Sequence, residues 1–278
     1  MKRGAWIAIG LGATALIAIL VLVQFGAKLS KGAPEETIAE APAPKPPEPK
    51  YPIDEPRQPA RDTTTDTAAG TDEAASEPPP LPTLADSDQA FRDAVDEAAG
   101  PTAIERFLVP DSVIRKAVVS IDNLDSDPVS RRFRPVVEVE GSVPVVRSGD
   151  SIHLDPANFK RYEPWVSGFI SLAPDTLVDT YSRYYPLFQE SYQDLGYPDG
   201  YFNDRVVQVI DHLLATPDID GPITLKQPKV FFEFADPRLE RLSWGQKALI
   251  RMGPDNADAV KKQLRAIRDE LLSRASGE

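Results

Sequence analysis

One stretch limits what this chain can be more than any other. From Gly4 to Ala27 run 24 residues without a charge, rich in Ile, Leu, Ala and Val. A helix needs about 20 such residues to cross the ~30 Å hydrocarbon core of a bilayer. Trp6 and Gln24 stand near its two ends, where an interfacial ring and a polar group are tolerated. The competing reading is a cleavable secretory signal, whose apolar run is usually about 7–15 residues and closes on a small-residue site. Phe25 to Ser30 offers no good site of that kind. The expectation is an uncleaved transmembrane helix over residues 5–27 behind a short cytoplasmic tail, 1–4.

Lys2 and Arg3 precede the span, and Lys28 and Lys31 follow it. With the α-amino group the excess lies slightly on the N-terminal side, which keeps that side in the cytoplasm and sends the bulk of the chain outward. Gly10 to Ala15 matches G-x-G-x-x-A, yet no strand precedes it, so it is no dinucleotide site. Gly10, Thr14 and Ala18 recur every four residues. That spacing either lets two membrane helices pack closely or reflects how common small residues are in such spans.

Residues 28–83 read as a Pro-rich disordered tether. Thirteen of the 28 prolines lie between Lys28 and Pro82, and the segment holds too little apolar surface to offset its ordering entropy. About 50 residues of extended polyproline span on the order of 150 Å. Pro46 to Pro49 also has the composition that Pro-binding grooves accept, with plain spacing as the simpler alternative.

From Leu84 to Glu278 the composition becomes globular, long enough to bury a core without staples. This part carries 23 basic and 32 acidic residues, a net −9 out of −12 for the whole chain. Nucleic-acid phosphates would repel it, so nucleic acid is not an expected partner. No cysteine is present, which removes disulfides, thiolate metal sites and a Cys nucleophile together.

Apolar periodicity predicts helices over 86–99, 102–108 and 111–124, helical stretches from Asp155 to about Ser171 with a break near Pro164, and helices over 175–195, 203–215, 237–241, 243–252 and 255–273. Pro186 inside the helix over 175–195 should kink it. Two small hairpins are expected, at Val143 to Leu154 and at Ile223 to Phe234. The fold class is therefore mainly α, or α+β: a multi-helix domain with two small β-hairpins, 84–278.

Four strings occur in order: Leu195-Gly196-Tyr197-Pro198-Asp199-Gly200, His212-Leu213-Leu214-Ala215-Thr216-Pro217, Phe234-Ala235-Asp236-Pro237-Arg238-Leu239-Glu240 and Arg251-Met252-Gly253-Pro254. With the N-terminal span and the linker, they resemble the bacterial family catalogued as domain of unknown function 3014. The resemblance implies a bacterial envelope setting and brings no activity, catalytic residue or cofactor.

The residues themselves offer few chemical constellations. The two histidines, His153 and His212, fit no metal-ligand spacing, and solvated or capping roles suit them. The common nucleophile and phosphate-cradling motifs are missing. Asp218-Ile219-Asp220-Gly221 resembles the start of a calcium loop, but Thr216 and Gln227 would then fill the first and last ligand positions, where both are poor. No cofactor or metal is expected.

Arg131, Arg132 and Arg134 form a basic spot that either pairs with a partner's carboxylate or phosphate or is an exposed loop. Twelve of 22 aromatic residues lie between Phe159 and Phe202, interleaved with acids. Sugar rings stack on such faces, although the helical spacing of Tyr181, Tyr184, Phe188 and Tyr192 suits a core. Tyr197, Asp199 and Tyr201 are the binding candidates there, and Glu190, Asp199 and Asp204 the acid–base candidates for glycan chemistry. Ala257, Val260, Leu264, Ile267 and Leu271 make a heptad-like seam, for packing on the domain itself or for self-association.

The expectation is a single-pass inner-membrane protein with a periplasmic domain, acting as a tethered binding or scaffolding module for an envelope protein or glycan. An envelope glycan-active enzyme is the alternative.

Overall fold

A computed structural model describes residues 48–53, 80–99, 107–126, 128–139 and 141–276. The expected span, with Trp6, Gly10, Thr14 and Ala18, and most of the tether lie outside the described residues. Among the described residues no helix is long and apolar enough to cross a membrane.

A 3₁₀ turn, Leu84–Asp86, leads into α1, Ser87–Ala99, followed by α2, Val113–Asp122. A hairpin of β1, Val145–Ser148, and β2, Ser151–Leu154, precedes α3, Ala157–Lys160, and α4, Glu163–Ile170. The long α5, Pro174–Asp194, and α6, Phe202–Leu214, come next. Short strands β3, Thr224–Lys226, and β4, Glu233–Phe234, lead to α7, Pro237–Glu240, α8, Trp244–Arg251, and α9, Pro254–Ser276.

Helix α5 is the axis of the helical layer. It packs against α1, α2 and α9, while α9 also covers α4 and α6. Leu177, Tyr181, Tyr184, Phe188 and Tyr192 turn one stripe inward at helical spacing, and all are buried. The helix runs unbroken through Pro186. The missing N–H at that position costs about 3 kcal/mol, and the buried rings on either side outweigh it. The helix expected over 175–195 is thus one continuous element with the proline inside it.

Val260, Leu264, Ile267 and Leu271 of α9 are 0–1% exposed. The heptad-like seam is thus closed inside its own domain by α4, α5 and α6. Of the two readings of the seam, packing on the domain itself is the one that accounts for this apolar stripe.

The two hairpins join. Their strands form one antiparallel sheet in the order β1-β2-β3-β4, with Ile152 opposite Leu225 and Leu225 opposite Phe234. Leu154, Ile223, Leu225, Phe234 and Ile250 make a second, smaller core beneath it. Gly253 lies between α8 and α9 with φ +90°, and a Cβ there would come within 2.4 Å of the Phe159 ring. Glycine alone suits both demands.

The helix expected over 102–108 is corrected at its described end. Leu108 bridges Val136 in antiparallel fashion, and Val109 N–H donates to the Pro135 carbonyl at 2.8 Å. Extended pairing satisfies these backbone groups just before Pro110. The basic spot contains a short 3₁₀ turn, Arg131–Phe133.

Candidate functional site

The site grows from the start of α6. Gln189 on α5 fixes the turn that precedes it. Its Oε1 accepts from the Phe202 N–H at 2.9 Å and its Nε2 donates to the Gly200 carbonyl at 2.7 Å. Gly200 passes so close to Tyr192 that a Cβ would meet its ring at 2.9 Å. The turn lays Tyr197 flat on Tyr192, with centroids 4.5 Å apart and planes 18° apart.

Arg205, one turn into α6, ties this corner to the end of α2. Its Nε donates to Asp122 Oδ1 at 2.8 Å, and two further nitrogens grip the Asp125 carboxylate at 2.7 Å each. It also donates to the Asp122 carbonyl. Planar, bidentate pairing is the strong form of this contact. The Tyr197 hydroxyl donates to the second Asp122 oxygen at 3.1 Å.

The hydrogen bonds from Arg205 hold the Asp125 carboxyl below its usual value, against the opposing pull of partial burial. Burial alone would lower the Arg205 guanidinium, but its bonds to Asp125 and Asp122 hold it above its usual value. Burial, then the Asp122 charge, pushes Tyr192 up to about 12. The Asp122 charge, followed by burial, raises Tyr197. All four groups therefore keep fixed protonation states near neutral pH, which suits an architectural role better than proton transfer.

On the outer face of α6 the neighbouring Asp204 does something different. Its two oxygens accept the backbone N–H groups of Lys50 and Tyr51, at 2.9 and 2.8 Å. Asn203 donates its amide to the Tyr51 carbonyl at 2.8 Å. Tyr51 and Ile53 pack against the main core. The disordered tether expected over 28–83 is therefore corrected at residues 48–53, which lie seated on the domain. Main-chain bonds and two apolar side chains supply what Pro-rich composition hid.

Two shallow cavities flank the seated segment. One, of about 240 Å³, is lined by Glu48, Tyr192, Asp199, Tyr201, Asp204 and Arg205 among others. The other, of about 300 Å³, is lined by Lys50, Tyr51, Asp204, Val207, Gln208 and Asp211.

The fold thus brings Tyr201, Asp199 and Asp204 together and leaves Glu190 exposed on α5, outside both cavities. Both Asp204 oxygens are already bonded to main chain. Of the twelve clustered aromatic residues, nine are buried, while Tyr197 is 42% exposed. That segment is core.

The basic spot divides. Arg134 is 3% exposed, donates to the Val129 carbonyl and Glu138, and lies 5.5 Å from the Trp244 ring. It is a packing residue, and its assignment to a partner is corrected. Arg131 pairs with Glu138 at 2.7 Å and Arg132 lies over Phe133, both exposed.

His212 bonds the Ser243 hydroxyl at 2.8 Å, and that hydroxyl also caps α8 through the Gln246 N–H. Asp218 accepts from Lys261 at 2.5 Å. Among the described residues no group of three or more acids or histidines is arranged to hold a metal ion.

Sequence reasoning missed Arg205, Asp122, Asp125, Asn203 and Tyr51. Two signals pointed to them. Asp122 and Asp125 are spaced to flank a helix end, and Tyr51 is the one aromatic residue between Lys28 and Thr83.

The model of a protein family of unknown function, DUF3014, matches residues 113–268, running from α2 into α9. The chain belongs to the DUF3014 family. Every residue of the Arg205 cluster and of the Asp204 clamp lies within the matched region, whereas the seated segment lies outside it. No curated protein and no solved structure matches this DUF3014 chain.

Proposed function

We propose that this DUF3014 protein is a membrane-tethered binding or scaffolding module of the bacterial cell envelope, with its domain on the periplasmic side. One observation carries the reading: the outer face of α6 holds a short stretch of chain by its backbone, through Asp204 and Asn203. A surface that grips main chain while two side chains fill its hollows follows the logic of peptide recognition. The 24-residue uncharged run supports the anchor.

The glycan-active alternative has one observation in its favour, since Asp199 and Asp204 line the same cavity. Against it, Asp204 is occupied, and most of the rings that would stack on sugar are buried.

The test places a photo-crosslinking residue at Gln208, exposed on α6, in the full chain in bacterial membranes. A control carries it at Arg238, whose side chain is 83% exposed. A discrete adduct is expected from position 208 and not from 238. An alkaline-phosphatase reporter fused after Glu278 should be active, as the outward orientation requires. Incubation of the full chain with peptidoglycan should release no muropeptides. Release that drops about 10²–10⁴-fold in Asp199→Asn or Asp204→Asn, the usual worth of a general acid or base, would replace the binding reading with the enzymatic one.

A further inference from the structure

Residues 48–53 lie against α6 as a short segment that bends at Lys50 and Tyr51, which turns both of their N–H groups toward Asp204. Glu48, Lys50 and Pro52 face solvent, while Pro49, Tyr51 and Ile53 are half-buried. The grip falls on backbone N–H and C=O groups, so it is not tied to one sequence. Asp204, Val207, Gln208 and Asp211, at i, i+3, i+4 and i+7 along one stripe of α6, line an open hollow beside the segment, which Lys50 and Tyr51 bound on the other side. The two acids favour a segment that carries a cation, as Lys50 does here.

The fit is incomplete in one respect. Asn203 is fully buried, and although its Nδ2 donates to Tyr51, its Oδ1 has no partner among the described residues. A buried acceptor left unmatched is a standing cost. A ligand that brings one more donor to that amide would gain a bond that the seated segment leaves unmade.

We propose that this face of α6 is the docking site for a partner's short segment of basic, Tyr-Pro-apolar chemistry, and that the chain's own residues 48–53 occupy part of it as a resident competitor. This rests on the binding-module reading and names the occupant of that surface. A segment linked in cis competes at an effective concentration on the order of millimolar. A free partner must outbid it or be concentrated beside it. The half-buried, main-chain grip makes the exchange reversible, and the spare Asn203 acceptor gives the incoming segment an advantage.

The experiment uses the full chain in detergent and a labelled peptide with the sequence of residues 46–55. The peptide should bind the Tyr51→Ala/Ile53→Ala chain at least tenfold more tightly than the wild type, because the cis competitor is disabled. Adding Asp204→Ala should weaken that binding at least tenfold. Gln208→Lys, an exposed change that leaves the core alone, should weaken it as well, so the test survives a poorly folded Asp204 variant. In the wild type, exchange of the Tyr51 amide hydrogen should accelerate when excess peptide is added.

Equal affinity for wild type and the double variant, or binding indifferent to both groove changes, would overturn the proposal. Concentration-dependent dimers of the wild type that vanish in Tyr51→Ala/Ile53→Ala would overturn it in another way, by assigning the groove to a second copy's segment. A Gln208 adduct formed in membranes by a chain that no peptide enters would leave the binding module standing and remove only this occupant.

Discussion

Replacing Arg205 by methionine should destabilise the folded domain by about 3–5 kcal/mol, the usual cost of breaking a buried ion pair from one side. The Arg205 side chain is 14% exposed and its partners Asp122 and Asp125 are 11% and 22% exposed. Removing the cation therefore strands two carboxylates in a place poor in water, and it also frees the ends of α2 and α6 from each other. The loss has a pH signature. Asp125 has a folded value below its ordinary 3.8, so its contribution is complete above that value and is lost as pH falls through the folded one. Urea unfolding of wild type and variant at pH 7, 5 and 3 should show a gap that is constant from 7 to 5 and narrows at 3. A gap under about 1 kcal/mol at pH 7 would mean that the cluster is ornamental to stability.

Phe188→Ala should cost about 3–5 kcal/mol through the lost transfer energy and the cavity left behind. Phe188 is 0% exposed. It stacks on Phe202 at 5.9 Å and meets Phe91 and Tyr181 at 5.7 and 5.6 Å. It joins α1, α5 and α6 at one point, so its removal leaves a hole that no neighbour can fill without leaving its own place. Tyr197→Ala, at 42% exposure, should cost about 1 kcal/mol or less. Thermal melts of the two variants decide between core and surface for the aromatic segment. A Phe188 variant as stable as the wild type would return those rings to the list of binding surfaces.

Much of this architecture was legible in local pattern. The stripe of α5 and the seam of α9 announce themselves by spacing, since a helix that buries one face must repeat its apolar residues every three or four positions. The hairpins were legible for the same reason. Their joining was not, because His153 and Thr224 pair across 71 positions, and alternation within a strand carries no information about a distant partner. The Arg205 cluster was hidden in the same way. Asp122, Asp125 and Arg205 are ordinary surface-type residues until folding places an arginine between two acids some 80 positions away. At the tether, composition misled outright. Six residues among many prolines do not shift an average, yet Tyr51 and Ile53 meet an apolar surface and Asp204 meets two adjacent N–H groups. The same device recurs at α2, where Asp88 accepts the N–H groups of Ser112 and Val113 at 2.6 and 2.8 Å.

Given the proposed membrane span, the seated segment would also set the length of a leash. With residues 48–53 docked, the chain between the proposed span and the domain surface is the 20 residues 28–47, about 60 Å at full extension. Were the segment to leave α6, the leash would run on to residue 79, a contour of about 150 Å. The volume a tethered body can search grows with the cube of that length, roughly fifteenfold here. A partner that takes the groove would therefore do more than bind. It would pay out line, and the domain could then meet structures that lie beyond its grasp while the groove holds its own chain.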